Sequence, residues 1–166
     1  MRIALVVHKF PPASIGGTEI YSRNLAGELS RRGHDVFVFY RDDAEVGLSG
    51  GVTWEEREGF RACRVSKSVG CSRIPLLGNF LDTFLNPSVE RAFERFLDEA
   101  EPDLVHFQHV MLLSYRLLAV AKKRGLPVLL TLHDYWFICA NSQLIWSDAQ
   151  VCLGKALGLN CARCVP

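Results

Sequence analysis

The chain has 166 residues, 49% of them hydrophobic and 22% charged, an ordinary mix for one soluble globular domain with a real core. A net charge of +1 gives no ground for a nucleic-acid partner or a strongly acidic one. The apolar start Ile3–Val7 is too short for a signal segment or a membrane span.

The chain therefore reads as cytoplasmic, with its six cysteines reduced or metal-bound. In a secreted protein the even count would instead suggest disulfides. Arg2–Val7 is a compact apolar run of the kind a buried parallel strand needs. His8 to Ile15 holds Pro11 and Pro12, which remove donors and forbid a helical ladder. Gly16-Gly17 allows positive φ and close approach by a ligand. Thr18 is the predicted cap of a helix running to about Arg32, and Glu19 suits its positive end. Strand, glycine loop and helix N-terminus form an arrangement that binds anions, although the same loop can simply turn the chain. Neither G-x-G-x-x-G nor G-x-x-x-x-G-K-[ST] is present.

Tyr21, Leu25 and Leu29 fall at i, i+4 and i+8 and predict the buried stripe of that helix. Arg31, Arg32 and Gly33 close it. Asp35–Tyr40 is the second strand, completing a βαβ unit with a right-handed crossover. Asp42 to Gly51 reads as loop. Val52–Arg57 and Phe60–Val65 read as short strands around Glu58-Gly59. Arg57 to Arg73 holds five Lys or Arg and one acid, either a solvated surface or a contact for anionic lipid or a phosphorylated acceptor. Phe80, Leu81, Phe84 and Leu85 form an apolar face expected in the core or a domain contact, with a membrane foot as the other reading.

Asn86-Pro87-Ser88 opens a helix. Val89, Ala92, Phe93, Phe96, Leu97 and Ala100 give it a clean apolar face, and Pro102 ends it. Asp103–Phe107 is a strand. Leu113, Leu117, Val120 and Ala121 mark a helix that Gly125 and Pro127 stop, and Val128–Leu132 is a last buried strand. No internal repeat goes beyond this β/α alternation. The fold class is therefore α/β, a Rossmann-like, doubly wound, mostly parallel sheet flanked by helices. Ligands of such sheets bind beyond the carboxyl ends of the strands. Three of those ends carry histidine: His8, then Gln108-His109, then His133-Asp134. They lack the local spacing of metal ligands, and no H-E-x-x-H occurs.

Arg2–Val7, Gly16-Gly17-Thr18-Glu19, Asn24 through Leu29 and Arg32-Gly33-His34-Asp35-Val36 together resemble the N-terminal domain of family 4 glycosyltransferases. Pro102 to His109 is similar to the family's strand with a trailing histidine, and Thr131 to Trp136 to a later strand end. The run through Cys139, Cys152, Cys161 and Cys164 is similar to a cysteine-bearing subgroup. The resemblance implies the N-terminal half of a GT-B architecture: a retaining enzyme that moves a sugar from a nucleotide-sugar donor to a hydroxyl of a sugar or lipid-linked acceptor, as in cell-envelope polysaccharide synthesis.

By that resemblance, His133 is the active-site histidine. Gly16, Gly17 and Thr18 approach the donor diphosphate, Asp134 lies with the substrates, and His109 lines the acceptor side. Glu19 orders the loop. No metal is needed for chemistry, because helix dipoles and basic residues stabilise the leaving diphosphate. Peripheral membrane contact is a further implication. The organisation expected is an acceptor-side domain over residues 1–138 and a cysteine-bearing tail over 139–166, with the donor domain absent and the chain by itself inactive.

Cys161-Ala162-Arg163-Cys164 is a C-x-x-C pair that, with Cys139 and Cys152, has the number of thiols a structural zinc site takes. Iron–sulfur ligation and plain free cysteines are the alternatives, and Cys63 and Cys71 are expected to pack. Two other functional readings stand beside the enzyme: a non-catalytic nucleotide or phosphate binder, and a zinc-stapled interaction domain.

Overall fold

The computed structural model describes residues 1–42, 52–66, 83–139, 141–146, 150–152 and 161. Cys71, Arg73, Phe80, Leu81 and Cys164, and the loop expected up to Gly51, lie outside them apart from Asp42. The chain divides into two units, Met1–Thr131 and Leu132–Pro166.

The first unit runs β1 (Arg2–Val7), α1 (Gly17–Arg31), β2 (Asp35–Asp42), β3 (Val52–Arg57), β4 (Phe60–Ser66), α2 (Pro87–Ala100), β5 (Leu104–Phe107), α3 (Leu117–Lys123) and β6 (Val128–Leu130). Its sheet has the order β3-β4-β2-β1-β5-β6. Every pairing is parallel except β3 with β4, joined through Glu58-Gly59. Both turn residues have positive φ, 32° and 92°, as a two-residue hairpin demands.

Period-two alternation in β1 and β2 sends side chains to two dry faces. Ile3, Leu5 and Val7 lie beside Val36, Val38 and Tyr40, and pack with Phe10, Ala26 and Phe60 on one of them. The other face is aromatic. Phe39 meets Phe93 at 5.1 Å and Phe96 at 5.2 Å, Phe93 meets Phe107 at 6.1 Å, and Trp54 stacks on Phe96 at 5.6 Å. Burial on both faces is why these strands read as continuous apolar runs.

α1 begins one residue earlier than expected. Gly16 is its cap and no side chain caps it, so Thr18 is not the cap. Its buried residues are Glu19, Ser22 and Ala26, with Leu25 and Leu29 partly buried, whereas Tyr21 is 45% exposed. The buried stripe therefore has small and polar members, which a search for large apolar residues passes over. At its other end, the Gly33 N–H bonds Ser30 O and the His34 N–H bonds Leu29 O, with Gly33 at φ 83°. That pair of bonds is the Schellman stop that glycine favours.

In α2 all six predicted apolar residues are buried, and Asn86 Oδ1 accepts the Val89 N–H at 3.2 Å. α3 starts at Leu117; Leu113 is buried in the preceding turn and lies outside the helix. β6 stops at Leu130 and is not a buried strand. It is the sheet edge, and Leu129 is 50% exposed. Phe84 and Leu85 are also about half exposed, because Thr83 and Asn86 take the inward positions there. Of the two places expected for them, the core or a domain contact, the core is therefore excluded for Phe84 and Leu85. Arg57, Arg61 and Arg64 each pair with acids, namely Glu55, then Glu56 and Glu99, then Asp42 and Glu55. This part of the basic run is internally neutralised.

Removing an aromatic ring from the packed face should cost more than removing a helix cap. Phe96→Ala is expected to lower unfolding free energy by about 3–5 kcal/mol and Asn86→Ala by about 1 kcal/mol, measured by urea denaturation.

Candidate functional site

The chain leaves β1 toward β2 on one side and later takes up β5 on the other, so the sheet's topological switch lies between β1 and β5. Both strands point the same way, with Val6 beside Phe107. The residues that follow them must therefore meet at one end of the sheet. His8 and His109 do so, with ring centroids 4.7 Å apart and planes tilted by 48°. Both are buried, as is Gln108, whose N–H extends the ladder to Val6 O at 2.8 Å.

Each histidine is held from behind. His109 Nδ1 accepts the Met111 N–H at 3.1 Å, which assigns the proton of the neutral ring to Nε2. The loop carrying Met111 is fixed in turn. Leu112 donates its N–H to Thr83 Oγ1 at 3.2 Å, and its carbonyl accepts from buried Arg41 at the end of β2. His8 Nε2 lies 3.6 Å from Glu19 Oε1, and Ser14 Oγ donates to that same oxygen at 2.9 Å. Glu19 thus ties the proline-rich loop to α1, as expected of it. His106, inside β5, places Nε2 2.8 Å from Thr131 Oγ1 and helps join β5 to the segment after β6.

The two glycines do different work, and neither has the positive φ expected of it, which corrects that half of the expectation. Gly16 is extended, at φ −143°. A Cβ there would lie 2.5 Å from Glu19 Oε2, so the glycine exists to let that carboxylate fold back over the helix start. A Cβ on Gly17 would meet nothing within 4 Å. Open space therefore faces the first turn of α1 at Gly17, while Glu19 already covers Gly16. Thr18 contributes its carbonyl to Ser22 Oγ at 2.7 Å.

The particular partners of Glu19, Ser14 and His8, were not foreseen in the sequence. A carboxylate three residues past a helix cap is the spacing of a capping box, and that was the available signal. Arg41 had none, since its partner lies 71 residues away.

An open cavity of about 230 Å³ is lined by Phe10, Pro11, Pro12, Arg23, Arg57, Glu58 and Phe60. Arg23 is paired with Glu58 and Arg57 with Glu55, so neither cation is left over for an anionic ligand. Arg57 also donates to Pro11 O at 3.0 Å, bracing the proline loop. Cys63 is buried in β4, and burial pushes its thiol far above the ordinary value, which makes it inert packing.

His133 and Asp134 belong to the second unit. Asp134 Oδ1 accepts the Trp136 N–H at 2.8 Å, a local turn that fixes its carboxylate. His133 is partly buried. In the same unit lies Cys139. Burial would raise its thiol, but hydrogen bonds from the backbones of Leu144, Asn141, Gln143 and Ser142 together hold it below the ordinary value.

Residues 15–164 match the model of Glycosyltransferase Family 4. The chain belongs to this family. It is 27% identical over 176 residues to a 42.6 kDa protein in the cps region of Klebsiella pneumoniae, covering 93% of this chain and 46% of that protein. The sucrose-phosphate synthase of Thermosynechococcus elongatus aligns over 79% of this chain and 32% of its own, at TM-score 0.51 and 24% identity. A trehalose-6-phosphate structure from E. coli, bound with UDP-2-fluoro glucose, covers 81% of this chain and 33% of its own at TM-score 0.40 and 14% identity. The family 4 chain thus spans about half the length of the curated relative and about a third of these solved chains. Its mostly parallel, helix-flanked sheet is the expected α/β class, similar to the domains of GT-B glycosyltransferases.

Gly16→Ala should displace the Glu19 carboxylate, with a loss of about 1–3 kcal/mol visible as a lowered Tm. The Cys63 thiol should resist a thiol reagent at about pH 8 until the protein is unfolded.

Proposed function

We propose that this chain is the acceptor-side domain of a retaining glycosyltransferase that transfers a sugar from a nucleotide-sugar to a hydroxyl. The observation that carries this reading is the meeting of His8 and His109 at the sheet's switch point, in a chain of family 4. In the proposed reaction, the acceptor oxygen attacks the anomeric carbon and the bond from that carbon to the diphosphate oxygen breaks. The diphosphate leaves with the electron pair, and the acceptor proton is lost to it or to solvent.

His109 lines the acceptor side, its ring oriented by the Met111 N–H at Nδ1. The diphosphate approaches the amides of Gly17 and Thr18. Gly16 contributes less, because the Glu19 carboxylate folded over it repels an anion there. His133 acts at the donor sugar and phosphate, with Asp134 beside it among the substrate contacts. No metal enters the chemistry on this reading, as the helix dipole supplies the stabilising field.

The relative in the cps region supports a cell-envelope polysaccharide as product and a lipid-linked sugar as one form of acceptor. Among the described residues no helix is long and apolar enough to cross a membrane, which is compatible with cytoplasmic work at a membrane surface. The rest of the enzyme is proposed to supply most donor contacts and the closing motion.

Gly17→Ala separates this reading from a merely structural loop. The substitution meets open space and adds a better helix former, so Tm should hold or rise while nucleotide-sugar affinity in the whole enzyme falls about tenfold or more. Unchanged affinity would remove the diphosphate from this helix.

His133→Ala in the whole enzyme should lower kcat about 100-fold or more with donor binding largely kept. Retained turnover would favour a binder over a catalyst. Residues 1–166 alone should transfer sugar at a small fraction of the whole enzyme's rate, measured by release of the nucleoside diphosphate.

A further inference from the structure

The loop that follows β5 holds a strained residue close to the two histidines. The Leu113 N–H bonds Val110 O at 3.1 Å, which closes a turn over Val110, Met111, Leu112 and Leu113. Leu112, in the third position of that turn, has φ 62°. A turn with positive φ at this position ordinarily takes glycine, and a bulky side chain in the left-handed region is strained. Such a residue persists where its surroundings over-determine it, and strain of this kind gathers at ligand clamps.

Leu112 is held at both of its backbone polar groups. Its N–H donates to Thr83 Oγ1 at 3.2 Å, and its carbonyl accepts from Arg41. Both partners are buried, and they come from separate parts of the chain, one ahead of α2 and the other near the end of β2. The rest of the loop is pinned to the same surroundings. The Tyr115 N–H donates to Thr83 O at 2.8 Å, and Ser114 Oγ donates to Glu90 Oε1 of α2 at 2.9 Å. All of these residues belong to the first unit.

What the turn holds lies one residue back. Met111 occupies its second position, and the Met111 N–H donates to His109 Nδ1 at 3.1 Å. A turn that rotated would carry this N–H away from the ring. His109 would then lose the bond that orients it and that places the proton of the neutral ring on Nε2.

We propose that Arg41 and Thr83 are positioning residues of the site. By clamping Leu112 in its left-handed conformation, they fix the tautomer and the orientation in which His109 meets the acceptor. Preorganisation of one ring on the acceptor side acts on acceptor binding and leaves donor binding alone. This role rests on the proposed acceptor contact of His109, whereas the tautomer is a property of the chain itself.

The test begins with the chain carrying isotope-labelled histidine. Long-range proton–nitrogen NMR reads the ring nitrogens at about pH 8, where imidazole is ordinarily neutral. His109→Gln identifies the His109 signals. The wild-type chain should show the Nε2–H tautomer alone at His109. Arg41→Met should leave a mixture of tautomers, and Arg41→Lys should retain more of the Nε2–H form. Thr83→Val keeps the side-chain shape and removes the acceptor, so it should shift the mixture the same way and serves where Arg41→Met fails to fold. In the whole enzyme, Arg41→Lys and Thr83→Val should raise acceptor KM about fivefold and leave donor KM within about twofold. The Nε2–H tautomer kept alone in every folded variant, or an Nδ1–H ring in the wild type, would overturn the clamp whatever the kinetics. A lost tautomer with unchanged acceptor KM would overturn the role in acceptor binding, and with it the acceptor contact of His109, while leaving the clamp in place.

Discussion

The structure depends on β1 being buried between two parallel neighbours. Its side chains leave water on both faces, and its backbone bonds β2 on one side and β5 on the other. Parallel neighbours cannot be joined by tight turns, so β1 reaches β2, and β5 reaches β6, by a crossover through a helix. The carboxyl ends of β1, β2, β4, β5 and β6 then collect at one edge. That constraint, rather than any attraction between the rings, brings His8 and His109 to 4.7 Å.

The first unit and the short cysteine-bearing unit hold themselves together by different physics. In the first, Phe39, Phe93, Phe96 and Phe107 pack edge and face against the sheet, and the apolar area removed from water dominates. In the second, no described side chain is buried and backbone hydrogen bonds organise the chain around Cys139 and Cys152.

Glu19 shows how a loop is given shape without regular structure. One carboxylate in the first turn of α1 accepts from Ser14, lies against His8 and rests over Gly16. The proline loop is braced again by Arg57, which reaches from β3 to Pro11 O. These polar contacts leave Gly17 facing open space, the feature on which the proposed donor contact rests.

The sequence by itself determined the α/β class, the β1–α1–β2 unit, the Glu58-Gly59 hairpin and every buried residue of α2. Each of these follows from local periodicity or turn chemistry, which is written in neighbouring residues. The family was legible in Arg2–Val7, Gly16–Glu19, Asn24–Leu29, Arg32–Val36, Pro102–His109 and Thr131–Trp136 read together. Only the tertiary structure decided that Tyr21 faces water, that β6 is an exposed edge, and that Gly16 serves the Glu19 carboxylate rather than a positive φ. It also decided that Arg41 holds the loop beyond His109. Those outcomes depend on which segments pack together at long range, and no period of 2 or 3.6 residues encodes that.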